Sequence, residues 1–200
     1  MSQRGNVEVS SAAAEAFRIL RSSVKFAAGD QPIHTVLIVD VDRDEPSGVA
    51  EELGAAFARA GDRTVVVLTN SRDHSGPDTG FGDLLFDGTV DALGLQPDAD
   101  GLAVIPAGRR LQADLLAGDK LSRAIAALRE QFDYVIIAAA SLPRHSDALG
   151  IGPRVDATIL AVTSGKTRRA RAIEARDALE RVGARILGVV MVDGKRRRFW

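Results

Sequence analysis

Thr35-Val-Leu-Ile-Val-Asp-Val-Asp-Arg-Asp-Glu-Pro-Ser-Gly48 is an apolar run that ends in an acidic loop, and an amphipathic stretch rises from that loop towards Gly61. The run is short and β-branched, which predicts a buried strand over 36–39. Val49, Leu53, Ala56, Phe57 and Ala60 then recur at three- and four-residue steps, which predicts a helix over 48–60 with Gly61 at its C-terminal cap. In an α/β protein such a strand–loop–helix junction is where a phosphate is held, because free N–H groups and the positive end of the helix dipole meet there. Here the junction carries Asp40, Asp42, Asp44 and Glu45 against a single Arg43. Whether this loop takes a nucleotide, another ligand or nothing is the functional question.

The pattern on either side decides the fold class. Upstream, Ala13, Phe17, Leu20 and Val24 have helical spacing from Ser11, and Gly29-Asp-Gln-Pro32 ends that helix. Downstream, strands are predicted over 64–68, 102–105, 132–137, 158–162 and 185–192. Helical segments are predicted over 121–129 and 166–182, with a short amphipathic piece inside 81–95. A loop rich in Gly, Asp, Ser and Pro fills 70–80 and reads as mobile. Strand and helix alternate, and the strands are continuously apolar, so the expected fold is one doubly wound, mostly parallel α/β sheet with helices on both faces. Residues 1–10 read as a flexible N-terminus, 11–193 as the domain and 194–200 as a basic-aromatic tail.

Bulk composition excludes several classes. Two hundred residues suffice to bury a core, and 46% hydrophobic with 26% charged residues is ordinary for a globular chain. A net charge of −1 speaks against bulk electrostatic binding of nucleic acid. Cysteine is absent, which removes disulfides and thiolate metal sites. The apolar runs are too short to span a bilayer, and the N-terminus lacks a signal-peptide core. A soluble cytoplasmic protein or domain is the expectation.

The acidic loop admits more than one chemistry. Val36-Leu-Ile-Val-Asp-Val-Asp42 has the acids of a phosphoacceptor receiver domain, but no carboxylate ends a strand one βαβ unit further on. Asp40-Val-Asp42 with Leu68-Thr-Asn70 resembles the first motifs of haloacid-dehalogenase-type phosphatases. In that reading Asp40 attacks phosphorus, Asp42 acts as acid and base, and Mg²⁺ screens both. Arg43 stands where that motif has glycine, and no later strand ends in its Gly-Asp pair.

The whole chain resembles the cytoplasmic domain of bacterial tyrosine kinases of capsule and exopolysaccharide assembly, within the MinD/ParA-like P-loop ATPases. Glu15-Ala-Phe-Arg18-Ile-Leu-Arg21 has the Glu-x-x-Arg-x-x-Arg spacing of that family's first helix. Gly101-Leu-Ala-Val-Ile-Pro-Ala-Gly108, Phe132-Asp-Tyr-Val-Ile-Ile137 with Asp147-Ala-Leu149, Ile159-Leu-Ala-Val-Thr-Ser-Gly-Lys-Thr167 and Gly183-Ala-Arg-Ile-Leu-Gly-Val-Val190 follow in the family's order. The resemblance implies a P-loop NTPase-like fold of MinD/ParA type.

The departures from the family are as informative. Its P-loop needs Gly-x-x-x-x-Gly-Lys-Ser/Thr, so that amides wrap the phosphates, lysine neutralises them and a hydroxyl holds Mg²⁺. The corresponding segment here is Asp42, Arg43, Asp44, Glu45, Pro46, Ser47 and Gly48. Neither glycine is present, Pro46 replaces the lysine, and only Ser47 matches. The family's second acidic motif falls on Thr69-Asn-Ser71, its Walker B aspartate on Ala138 and its adenine-reading asparagine on Val192. The sole tyrosine, Tyr134, lies in a predicted strand and not in a tyrosine-rich tail. Each charge-assisted phosphate contact removed forfeits about 1.5–3 kcal/mol. A facing carboxylate adds repulsion of roughly 1–4 kcal/mol, and micromolar binding is only about 8 kcal/mol. The expectation is therefore a catalytically inactive pseudo-kinase and pseudo-ATPase with ATP and Mg²⁺ binding lost, acting as an interaction or regulatory module. The alternatives are the phosphatase using Asp40 and Asp42, and a residual nucleotide-binding tyrosine-kinase homologue.

Partner surfaces follow from the same reading. In the resembled family the first helix packs on a neighbouring subunit, so Glu15, Arg18 and Arg21 are the expected interface for self-association or for a kinase or membrane-anchored partner. Lys195, Arg196, Arg197 and Arg198, followed by Phe199-Trp200, offer a dock for anionic lipid at roughly 1 kcal/mol per basic residue. That dock would place the protein at the inner face of the membrane. Arg168, Arg169, Arg171 and Arg176 give the last helix a basic side, read as solvated; no nucleic acid is expected.

Overall fold

All seven residues of strand β1 (Thr35–Val41) are buried. A strand covered on both faces has no solvent side, which is why its sequence is continuously apolar instead of alternating. The computed structural model describes residues 11–27, 31–43, 46–69, 78–87, 89–142 and 144–193. Among these, the later strands are β2 (Thr64–Leu68), β3 (Leu102–Ile105), β4 (Tyr134–Leu142), β5 (Ala157–Thr163) and β6 (Ile186–Val192). They form one six-stranded sheet in the order β3-β2-β4-β1-β5-β6, parallel throughout. The helices are α1 (Ser11–Phe26), α2 (Val49–Ala58), α3 (Phe81–Asp87), α4 (Asp119–Gln131), α5 (Asp147–Ile151) and α6 (Arg169–Arg181).

Alternation along β1 divides the core in two. Leu37, Val39 and Val41 join the cluster of Leu84, Leu121, Leu128, Ile151 and Leu179, which α3 to α6 bring to one face. Val36 and Ile38 join Val24, Leu53 and Phe57, which α1 and α2 bring to the other. Burying a side chain of this size stabilises by about 1.5–3 kcal/mol, so both helical layers are held by their apolar stripes. The doubly wound sheet with helices on both faces is the architecture found.

Several boundaries differ from the sequence reading, each for a physical reason. β1 extends past Val39 to Val41, which puts Asp40 on the strand and not in the loop. β4 starts at Tyr134, not at Phe132, and continues past Ile137 to Leu142, so Ala138 lies inside the strand. Alanines have little strand preference of their own, but Ala138, Ala139 and Leu142 pair with Ile38, Val39 and Val41, and the ladder overrides the local bias. α6 begins at Arg169 instead of Lys166, because Thr167 turns its hydroxyl back to the end of β1. The expected helix over 121–129 is longer at both ends, and α5 was not foreseen. The predicted loop over 70–80 lies mostly outside the described residues.

The connection leaving β1 crosses to α2 on one face, and the connection leaving the adjacent β4 crosses to α5 on the other. The C-terminal ends of β1 and β4 are thus the switch point of the sheet, where doubly wound folds hold their ligands.

Candidate functional site

The site begins with Asp40, which is only 7% exposed at the end of β1. Its Oδ2 accepts the N–H of Ser47 at 3.0 Å. Asp42 follows with φ +53°, a left-handed conformation that aspartate tolerates better than most residues, and the chain turns there. The Asp42 N–H is donated to the Leu142 carbonyl at 3.0 Å, and the Arg43 N–H to Ser141 Oγ at 2.9 Å, so the start of the loop is pinned to the end of β4. The Arg43 guanidinium donates to Thr163 Oγ1 on β5. Thr167 Oγ1 in turn donates to the Val41 carbonyl at 3.2 Å and accepts the Thr163 N–H at 2.9 Å.

The N-terminus of α2 completes the junction. Gly48 precedes the helix at φ +77°, where a side chain would have space but a strained backbone. Ser47 Oγ accepts the Val49 N–H at 3.4 Å, and Pro46 has no amide to donate. Asp44 and Glu45 lie outside the described residues. The helix end that would face a phosphate therefore has one amide directed at the protein's own carboxylate.

Electrostatics reinforce this arrangement. Glu51, in the first turn of α2, is raised above its ordinary value, chiefly by burial and further by the nearby negative charges of Asp40 and Glu52. Its Oε2 is buried without a hydrogen-bond partner. Asp42 has Arg144 at 3.8 Å, a partly exposed pair. Glu51, Thr163 and Arg144 escaped the sequence reading. Glu51 sits among the apolar positions of α2 without breaking their spacing, and the other two depend on strand order, which no local pattern encodes.

The remaining positions fall as follows. Thr69 gives both its N–H and its hydroxyl to the Ala138 carbonyl, each at 3.0 Å, so the ends of β2 and β4 are tied by neutral groups. Ser71 lies outside the described residues. Val192 ends β6, where its carbonyl accepts the Ser164 N–H. Tyr134 is half-buried against Phe57 with ring centroids 4.0 Å apart, and burial raises its hydroxyl above the ordinary value. No group of three or more His, Asp or Glu able to hold a metal occurs among the described residues, and no helix among them is long and apolar enough to cross a membrane.

The Glu15, Arg18 and Arg21 stripe is divided. Glu15 and Arg18 form an exposed i,i+3 ion pair with each other. Arg21 turns inward, and its Nη1 donates to the Ala56 carbonyl of α2 at 3.3 Å. The basic side of α6 is partly compensated, with Arg171 on Glu174 at 2.8 Å and Arg176 bound to Asp177. Lys195, Arg196, Arg197 and Arg198 lie outside the described residues.

No established family profile matches the chain. The tyrosine-protein kinase CpsD of Streptococcus pneumoniae is 31% identical over 150 residues, spanning 69% of this chain and 66% of that protein. The succinoglycan biosynthesis transport protein ExoP of Rhizobium meliloti is 25% identical over 192 residues, 89% of this chain and 24% of that protein. The chain's homologues are bacterial tyrosine-protein kinases of capsule and exopolysaccharide assembly. The kinase domain of the Escherichia coli tyrosine kinase ETK superposes with a TM-score of 0.79 at 21% identity, over 94% of this chain and 79% of that one, which establishes a shared fold. The P-loop NTPase-like class, MinD/ParA type, is the fold of this chain.

Proposed function

We propose that this chain is a catalytically inactive relative of these kinases, a pseudo-kinase and pseudo-ATPase that serves as an interaction or regulatory module in capsular or exopolysaccharide biosynthesis and export. The observation that carries the reading is the bond from the Ser47 N–H to Asp40 Oδ2 at 3.0 Å. A phosphate seeking that amide must displace a buried carboxylate and then sit beside it. The lost charge-assisted bond costs about 1.5–3 kcal/mol, and the repulsion roughly 1–4 kcal/mol more. With proline in the lysine position, the cation left in this segment is Arg43, whose guanidinium donates to Thr163 Oγ1 on β5. The module would act on the cytoplasmic side, on a second copy, a kinase or a membrane-anchored partner.

The exposed Glu15–Arg18 pair supports α1 as one contact surface. Arg18→Glu is the variant that tests it, because reversing Arg21 would also break its bond to Ala56. Calorimetric titration of the full chain with Mg-ATP and Mg-ADP, beside a generic phosphatase assay, tests the central claim. No heat of binding and no turnover are expected. Submicromolar nucleotide binding overturns the reading, as does phosphatase turnover that Asp40→Asn abolishes.

A further inference from the structure

Lys166, Arg168, Arg169 and Arg171 follow closely where β5 turns into α6, and no Asp or Glu occurs between Asp156 and Glu174. The structure divides these cations. Arg171 is bound to Glu174 at 2.8 Å. Lys166, Arg168 and Arg169 are exposed and form no ion pair among the described residues. The turn that carries them is fixed. The N–H groups of Lys166 and Thr167 are both donated to the Thr163 carbonyl, at 3.1 and 2.9 Å, and Gly165 supplies a φ of +69°. The Ser164 N–H reaches the Val192 carbonyl at 2.9 Å, which ties the turn to the end of β6.

Apolar surface adjoins these cations. Met191 pairs with Val162 of β5, which belongs to the same core cluster as Ala175 and Leu179 of α6. Val162 is buried, whereas Met191 beside it is 70% exposed. Ile173, one helical turn after Arg169, is exposed as well. Against the cations the corner sets Asp193, exposed just after β6, and the sequence then runs on through Lys195, Arg196, Arg197 and Arg198 to Phe199-Trp200. Two residues of chain reach at most about 7 Å, so this second basic run starts at the same corner as the first.

We propose that this corner of the folded domain is a docking surface for an anionic membrane, with Lys166, Arg168, Arg169 and Met191 acting beside the basic-aromatic run. Charge complementarity calls for an anionic partner, and the apolar side chains select a lipid surface over a nucleic acid. Anionic headgroups attract clustered Lys and Arg, and the layer just beneath them accepts apolar side chains. A phosphodiester backbone attracts the same cations but offers Met191 and Ile173 no apolar layer to enter. The basic run by itself would be a tether. Cations on the rigid β5–α6 turn add an orientation, because they lie at the C-terminal ends of β5 and β6. The same end of the sheet holds the Asp40–Ser47 junction, which is thereby turned towards the bilayer. This inference holds whether or not that junction binds a nucleotide.

Cosedimentation of the full chain with vesicles tests this, using phosphatidylglycerol and phosphatidylcholine in equal parts against phosphatidylcholine alone. Emission of Trp200, the sole tryptophan, is a second readout. The expected result is binding to the anionic vesicles only, with emission moved to shorter wavelength and affinity falling as salt is raised. Lys166→Gln, Arg168→Gln and Arg169→Gln alter exposed side chains and leave the core alone. At roughly 1 kcal/mol per basic residue, each lowers the partition coefficient about fivefold and the three together about a hundredfold. Asp193→Asn is expected to raise it, and Met191→Ser to lower it. Absence of binding to the anionic vesicles overturns the proposal. So does binding that the triple variant leaves unchanged and that only replacement of Lys195, Arg196, Arg197 and Arg198 removes, which assigns attachment to the basic run alone. Equal or tighter binding of duplex DNA at the same salt, indifferent to Met191→Ser, also overturns it and assigns the corner to nucleic acid.

Discussion

Asp156→Asn removes a charge and little volume from the point where β5 starts beside β1. Asp156 Oδ2 accepts the N–H of His34 at 2.9 Å and of Thr35 at 2.8 Å, and the Asp156 N–H is donated to Thr35 Oγ1 at 2.7 Å. Burial pushes this carboxyl up, but the bonds to His34 and Thr35 together outweigh it and hold the group below its ordinary value. A hydrogen bond to a charged acceptor contributes about 1.5–3 kcal/mol against about 0.5–1.5 for a neutral one, so neutralising the acceptor of two costs roughly 2 kcal/mol. Asp156 is half-buried, and solvent screening reduces this to about 1–2 kcal/mol. For a chain of this size that is a fall in Tm of roughly 2–8 °C at neutral pH. A carboxyl with a lowered folded-state pKa contributes stability above its ordinary range and loses it as pH falls through the lowered value. The gap between wild type and variant must therefore close on acidification. Urea unfolding followed by circular dichroism, from neutral pH downward, measures both quantities. Equal stabilities at neutral pH, or a gap that stays constant as pH falls, refute the reasoning.

Two further outcomes test the packing and charge of α2. Glu51 is raised by burial and by Asp40, so the folded state holds its proton more tightly than the unfolded chain, and wild type loses stability as pH rises from the ordinary glutamate range through the raised value. Glu51→Gln is expected to raise Tm at neutral pH and to leave it unchanged below the ordinary range; a lower Tm at neutral pH contradicts this. A Cβ on Gly54 would meet Val66 Cγ2 at 2.5 Å and Leu102 Cδ1 at 3.1 Å, between α2 and the sheet. Gly54→Ala is expected to cost about 1–3 kcal/mol through overpacking, despite alanine's better helix propensity. A stabilised variant in chemical unfolding would show that the helix moves aside freely.

Legibility in the sequence followed the range of the interactions. β2 and β3 fall where the apolar runs put them, because Thr64–Leu68 and Leu102–Ile105 are bounded by local turn residues. The end of β4 was missed because Ala138, Ala139 and Leu142 become strand only through pairing with a segment about a hundred positions away. The Glu15/Arg18/Arg21 spacing is visible on paper, but Arg21 leaves the stripe because α1 lies against α2 and offers it the Ala56 carbonyl. Asp40 read as a loop acid for a similar reason, since its burial comes from the ladders of β1 with β4 and β5 and not from its neighbours in the chain.

By itself the sequence determined the α/β class and the acidic, lysine-free loop after the first strand. Continuous apolar strands alternating with amphipathic segments admit few other ways to bury their surfaces, and a missing glycine or lysine needs no coordinates to be seen. Tertiary structure alone decided what that loop does with its groups: the Ser47 amide directed at Asp40, Arg43 carried to Thr163 across 120 positions, and Glu51 buried near Asp40. It alone also left the uncharged β6 at the edge of the sheet. Strand order is set by crossovers and the summed packing of both layers, so these contacts have no local signature for a sequence pattern to carry.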